Sequence, residues 1–305
     1  MKRSASLVAV VIAAVVGGAV AADETEKIGQ VRFAVSCSSA VQKPFERAVA
    51  LLHSFWYLES AKAFAAVAQA DPDCAMAYWG VAMSNWTQIW SPPPPAALKR
   101  GWEAVEKAKA AGAKTPRERD FVSAAEAFFK DADKLDHRTR VMAYGKVMEQ
   151  MAQRYPDDRE VMAFYALSLQ ATADPHDKTY ASQKHSAEIA EKIFAVEPDH
   201  PGAAHYMIHG YDYPPLATRG LPAARRYAQF APSVPHARCI CPRTSTCCSA
   251  CGRRRSRATS PPPRPRRTAA IPTTACTRST ISCTPICSRL RMWKPAGSWM
   301  RRAAS

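Results

Sequence analysis

The sequence predicts an all-α protein, an α-solenoid of tetratricopeptide-like helical hairpins, over residues 43–237 of a 305-residue chain. Three observations predict it. Apolar residues recur at intervals of three and four along successive Ala-rich segments, with no strand-like alternation between them. The segments are punctuated by Pro-Asp turns, in "ADPDCA", "RYPDDR" and "VEPDHP". These turns also keep register: Pro156 and Pro198 are 42 residues apart, and Pro72 and Pro156 are 84 apart, twice as far. A fixed period of helix pairs is the mark of a solenoid.

The elements follow in chain order. "MKR", then the apolar "LVAVVIAAVVGGAV", then "AVA" at residues 19–21 read as a secretory signal over residues 1–21. The product is therefore expected to be exported, periplasmic or secreted, with no membrane association after cleavage. Residues 22–42 form a lead segment. Cys37 and Cys74 are the only cysteines before residue 239, and in an oxidising compartment they are a disulfide candidate. "FERAVALLHSFWY" places Phe45, Ala48, Leu51, Leu52 and Phe55 on one helical face, and "SAKAFAAVAQA" continues the period. Ala48, Phe64 and Pro72 fall at the eighth, twenty-fourth and thirty-second places of a tetratricopeptide unit, which is about 34 residues long. The fit at the other marks is looser and their period longer, so an irregular helical-hairpin bundle is the alternative.

A small residue precedes each marker proline by eleven positions, at Ala61, Gly145 and Ala187, where one helix of a hairpin can press on its partner. "WSPPPPAALKRGWEAVEKAKAAG" reads as a Pro-rich connector and a helix. "TPRERDFVSAAEAFF" opens with a Thr115 cap and Pro116 at the first helical position. "FKDADKLDHRTR" is a charged loop or helix start, and "YASQKHSAEIAEKIFAV" is a further helix.

Three stretches, "LLHSFWYLESAKAFAAVAQADPDCAMAYWG", "AAHYMIHGYDYPPLA" and "PHA" at residues 235–237, resemble a group of exported bacterial tetratricopeptide-repeat proteins of uncertain function. The resemblance covers roughly residues 31–237 and implies the same fold class without naming a partner. In that group the segment after "PHA" continues "LHMPSHI"; here it does not.

One cluster carries candidate chemistry. In "DHPGAAHYMIHGYDYPP", His205 and His209 are four apart and share a helix face, with Asp212 about a turn further. Two imidazoles so spaced can grip a divalent metal, with His200 or His236 as a further ligand. Tyr206 stands where a zinc protease would carry its general-base Glu. The bland reading makes these side chains packing and hydrogen-bonding groups of the inner face. Asp174, His176 and Asp177 form a polar loop that ordinary turn chemistry also explains. The tryptophans at 56, 79, 86, 90 and 102 form an aromatic zone that is either core or, through Trp79, Tyr78, Trp86 and Tyr206, a peptide groove. No phosphate loop or nucleophile elbow is present, so no catalytic residue is assigned. The expected function is a scaffold that binds a protein or peptide partner through its concave face, without a cofactor. The alternatives are a metal-binding protein or metal-dependent enzyme using His205, His209, Asp212 and His236, and a truncated product without function.

Residues 238–305 differ in kind. Residues 239–305 hold 13 Arg, one Lys and no acidic residue, which is +14 of the net +16. Eight of the ten cysteines lie there too. The basic charge therefore gives the body no reason to bind nucleic acid. Within "RCICPRTSTCCSACGRRR" a single CxxC, Cys248 to Cys251, is a weak zinc signal, and the arginines lack the interleaved aromatics of a nucleic-acid arm. A slipped reading frame explains the composition. Shifted codons allow "LHMPSHIYVLLGMWEE" for residues 238–254, and Cys247-Cys248 can encode only Leu in that frame. The tail is thus expected to be non-native and disordered. Sequencing the coding DNA is expected to show a continuous open frame in the alternative phase after codon 237; stops scattered through that phase would refute the frameshift.

Overall fold

The marker prolines sit in three turns of the same geometry. The computed structural model describes residues 26–87, 89–235 and 237, so the expected signal, His236 and the expected tail lie outside the described residues. Among the described residues there are ten α-helices and no strand. They are α1 (Gln42–His53), α2 (Tyr57–Ala70), α3 (Ala75–Ser84), α4 (Pro95–Ala111) and α5 (Pro116–Phe129), then α6 (His137–Arg154), α7 (Arg159–Thr172), α8 (Ala181–Val196), α9 (Pro201–Tyr211) and α10 (Leu221–Phe230). No described helix is long and apolar enough to cross a membrane.

In the turns before α3, α7 and α9, Cys74 donates its amide to the Asp71 carbonyl, Asp158 to Tyr155, and His200 to Glu197, at 3.0–3.1 Å. Proline occupies the second place of each turn, which suits its fixed φ. Each proline therefore lies three residues ahead of the helix instead of at its first position. The residue closing each turn is the N-cap of the next helix: Cys74, Asp158 and His200. Elsewhere the caps follow the sequence closely. Thr115 and Glu118 form a reciprocal capping box before Pro116, and Asp136 caps α6 through the Thr139 amide.

Every helix packs on the next in the chain, and further contacts join α1 to α3, α3 to α5, and α7 to α9. Phe121 of α5 meets Phe164 of α7 with ring centroids 5.8 Å apart. Contacts between α1 and α9 complete the circuit. The odd-numbered helices form an inner layer and the even ones an outer layer. Burial follows that division: nearly all of α3 and α9 is buried, against only Ser60, Phe64 and Val67 of α2. Burying each large inner ring stabilises the fold by about 2–3 kcal/mol. Close approach needs small residues, as the register suggested for Ala187. A Cβ on Gly210 of α9 would lie 2.8 Å from the Ala187 Cβ of α8.

The lead segment is structural. Its first described residues lie beside the turn before α9 and the turn after α10, where the Gln30 amide donates to the Asp199 carbonyl at 3.0 Å and the Lys27 amide to Ser233 Oγ at 3.0 Å. Phe33 is fully buried against Phe45, Trp79 and Phe121. Ser36 then gives both its amide and its hydroxyl to the Glu118 carboxylate. Burial would raise the Glu118 carboxyl, but the hydrogen bonds from Ser36 and Thr115 hold it below the usual range. A disulfide joins Cys37 to Cys74, 37 residues on, and pins the segment to the α2–α3 turn. By loop-closure entropy, opening it through Cys37→Ser is expected to cost about 3–4 kcal/mol. Urea denaturation with and without reductant checks this: the reductant-induced loss should vanish in the variant.

Candidate functional site

Two histidine clusters meet where α1, α7 and α9 come together. The deeper one centres on Glu160, in the first turn of α7, where the helix dipole favours an anion. Its carboxylate contacts His53 Nε2 at 2.8 Å and His200 Nε2 at 2.9 Å. His53 Nδ1 lies 2.7 Å from the Tyr206 hydroxyl. All four side chains are buried. Gly202 permits the approach, since a Cβ there would lie 2.7 Å from His53 Nδ1.

The hydrogen-bond network assigns the protons. The Ala203 amide donates to His200 Nδ1 at 3.0 Å, so the neutral ring carries its proton on Nε2 and gives it to Glu160. Burial raises the Tyr206 hydroxyl well above its ordinary value, so it remains a donor, to His53 Nδ1. His53 then donates Nε2–H to the other Glu160 oxygen. Burial pulls His53 below 6.5 against the pull of Glu160, which keeps the ring neutral at pH 7. Burial alone would push Glu160 up; His200 and His53 overcome it and hold the carboxyl at about 2.

The donor atoms of His53, Glu160 and His200 lie within 4.8 Å of one another. A metal on His200 Nε2 would need the ring proton on Nδ1, where the Ala203 amide already points. The cluster is therefore suited to clamp a buried anion and ill suited to hold a metal. Cys37, Asp71 and Cys74 also come together, but both thiols are consumed by the disulfide.

The second cluster is the pair singled out in the sequence. His205 Nδ1 lies 2.7 Å from the His53 carbonyl, which can only accept, so Nδ1 carries the proton. Its Nε2 thus presents a lone pair, 3.1 Å from His209 Nε2. His205 is buried and His209 half-buried. The His53 carbonyl belongs to the last residue of α1, and His209 lies in the last turn of α9. Two negative helix ends therefore converge on the imidazole pair, a setting that favours a cation. Asp212, three residues on, is the C-cap of α9 and donates its amide to the His209 carbonyl. His236 lies outside the described residues.

Phe55 covers the pair. The first helix ends at His53, two residues before the Phe55 expected on its face. The Trp56 amide reaches the Leu51 carbonyl and the Phe55 amide the Leu52 carbonyl, the two bonds of a Schellman turn. Phe55 takes the left-handed place, φ 54°, usually held by Gly. For a residue with a Cβ this conformation costs roughly 1–2 kcal/mol. Its ring lies 4.3 Å from that of His205 and stacks on His209 at 5.7 Å. Trp90, 47 % exposed, covers the outer side of His209 at 5.1 Å.

Of the two readings of the aromatic zone, the burial of these rings favours the core. Trp79 is buried among Phe33, Phe64, Phe121 and Phe164. Trp86 is buried in a stack on Phe128 at 3.6 Å, and Tyr206 serves His53. Tyr78 is half-buried against the same core. These rings pack among the inner helices, which contact one another from α1 round to α9. His200, considered as a metal ligand, serves Glu160 instead. Asp174 and Asp177 accept the amides of His176 and Thr179, as turn residues do. Sequence reasoning missed His53, Glu160 and Phe55; a histidine continuing the apolar face of "AVALLH" was the one available signal.

No family model matches the chain, and neither does any curated protein or solved structure.

Replacing Glu160 by Gln would turn an amide N–H toward one of two histidine donors, so Glu160→Gln is expected to cost about 3–5 kcal/mol. The pH dependence has a defined sign. Both His53 and Glu160 are lowered in the folded state, so their contribution is full above pH 6.5. It declines as pH falls, first when the unfolded chain protonates His53 below 6.5. It declines again from 4.5 toward about 2 as Glu160 titrates. Urea denaturation across pH 8 to 3 should show both limbs in the wild type and lose the lower one in Glu160→Gln.

Proposed function

We propose that the chain binds a divalent transition-metal ion through His205 and His209, on an exported scaffold of tetratricopeptide-like helical hairpins. The carrying observation is the pair of facing Nε2 atoms 3.1 Å apart, with the His205 proton fixed on Nδ1 by the His53 carbonyl. A ligating histidine ordinarily donates its other ring N–H to a carbonyl or carboxylate, which sets the tautomer. Of the two clusters, only the second holds a histidine, His205, with its proton placed in that way; His209 donates Nε2–H to the His205 lone pair and would shift that proton to Nδ1 on binding. Imidazole pairs suit Zn(II), Ni(II) and Cu(II), and the α1 and α9 C-termini add favourable potential. Among the described residues Asp212 does not join the two imidazoles in a cluster of three ligand atoms, so the reading rests on His205 and His209 alone. An export compartment suits the Cys37–Cys74 disulfide.

A second reading, a scaffold for a protein or peptide partner, draws on the apolar side chains left in solvent beside the site. Leu58 is 67 % and Trp90 47 % exposed. Such a surface lies on the rim of the helical array, outside the packed inner layer.

Calorimetric titration of the full chain with Zn(II) and Ni(II) separates the two. The metal reading expects about one equivalent bound, weakened at least roughly tenfold by His205→Ala or His209→Ala, each of which removes a ligand. It also expects quenching of Trp90 fluorescence by Ni(II), lost in Trp90→Phe. Protein that takes up no metal would refute it and leave the partner scaffold.

A further inference from the structure

The geometry points to Phe55 as a positioning residue of the histidine pair: its ring, carried on a left-handed turn, holds His205 and His209 so that their Nε2 atoms converge. The inference rests on the metal reading above and deepens it.

The α1–α2 turn reaches His205 twice. The His53 carbonyl takes the Nδ1 proton and fixes one edge of the ring. Two residues later, Phe55 lies against the same imidazole, with centroids 4.3 Å apart and planes inclined at 52°. Phe55 shares the setting of this ring's plane with Tyr227, which stacks on it at 5.5 Å, and with the Nε2 contact to His209. The phenyl ring also stacks on His209, inclined at 20°. One rigid side chain thus touches both imidazoles whose nitrogens face each other at 3.1 Å.

Phe55 is in turn held from outside. Tyr57 stacks on it at 5.4 Å, with planes 13° apart, and Trp90 meets its edge at 6.1 Å. The backbone gives the second line of argument. Gly is the residue that suits this place in a Schellman turn, and Phe55 adopts φ 54° there with both turn hydrogen bonds intact. Backbone strain retained against an available Gly is a feature of sites where the side chain has a task. Phe55 is 8 % exposed, and among the described residues its nearest aromatic neighbour by centroid distance is His205.

The test uses three variants of the full chain. Phe55→Gly keeps the turn and removes the ring. Phe55→Leu keeps apolar bulk without a flat face. Phe129→Leu shortens a core ring on α5 that packs on Gly101, and serves as a control for lost stability. Zn(II) and Ni(II) affinities are measured beside Tm, with nitrogen-15 spectra of the imidazoles in metal-free protein. Both Phe55 variants are expected to bind metal roughly 10- to 100-fold more weakly, the usual effect of removing an orienting group. The control should lose Tm and keep wild-type affinity. In metal-free Phe55→Gly, the His205 ring should exchange between tautomers that are locked in the wild type. Wild-type affinity in both Phe55 variants, or a loss matched by the control, overturns the inference. A wild type that binds no metal overturns the metal reading. The spectra then decide positioning separately, and locked tautomers in Phe55→Gly overturn it.

Discussion

A carboxylate taken out of water must be met by donors, and Glu160 is the place where this fold satisfies that demand. An isolated buried carboxylate would be too costly to keep ionised. Here two neutral imidazoles supply Nε2–H groups, and α7 contributes the positive end of its dipole. The arrangement fixes more than charge. His53 comes from the end of α1, His200 from the cap of α9, and Glu160 from the start of α7. Three helix ends far apart in sequence are thereby set at hydrogen-bonding distance. Tyr206 and Gly202, both on α9, complete the fit from one side. The fixed His53 then offers its carbonyl to His205, so the anion clamp also orients the neighbouring pair.

The three Pro-Asp turns show how a repeated shape diversifies. Their closing residues occupy equivalent places yet do different work. Cys74 forms the disulfide, Asp158 caps α7 and pairs with Arg117, and His200 caps α9 and donates to Glu160. A turn that leaves one side chain at a helix N-terminus serves each of these uses, because the backbone geometry does not depend on which polar group stands there.

Local features were legible in the sequence and distant ones were not. The helical period, the Thr115–Pro116 start and the prolines as register marks are all encoded within a few residues, and the helices match them. His205 and His209 were legible because their spacing places them on one face. Glu160 was not, since its partner His53 stands 107 positions away and nothing in "DDREVM" distinguishes it from a solvated acid. Phe55 looked like one more apolar residue of α1, because periodicity cannot register a left-handed turn that uses Phe where Gly is usual. The tryptophans were ambiguous for a related reason: an aromatic ring fits a groove and a core equally well until the neighbours are known. For Trp79 and Trp86 the neighbours are Phe121 and Phe128, rings of the core.

The lead segment has a consequence for the order of events during synthesis. Lys27 docks on Ser233 and Gln30 on Asp199, spanning most of the described chain. His53 likewise waits for Tyr206, 153 residues downstream. The lead segment therefore has no finished seat until α9 and α10 are made. Hairpins can form one by one as they emerge, but the array cannot lock until its beginning and end coexist. Contacts of such long separation are slow to close.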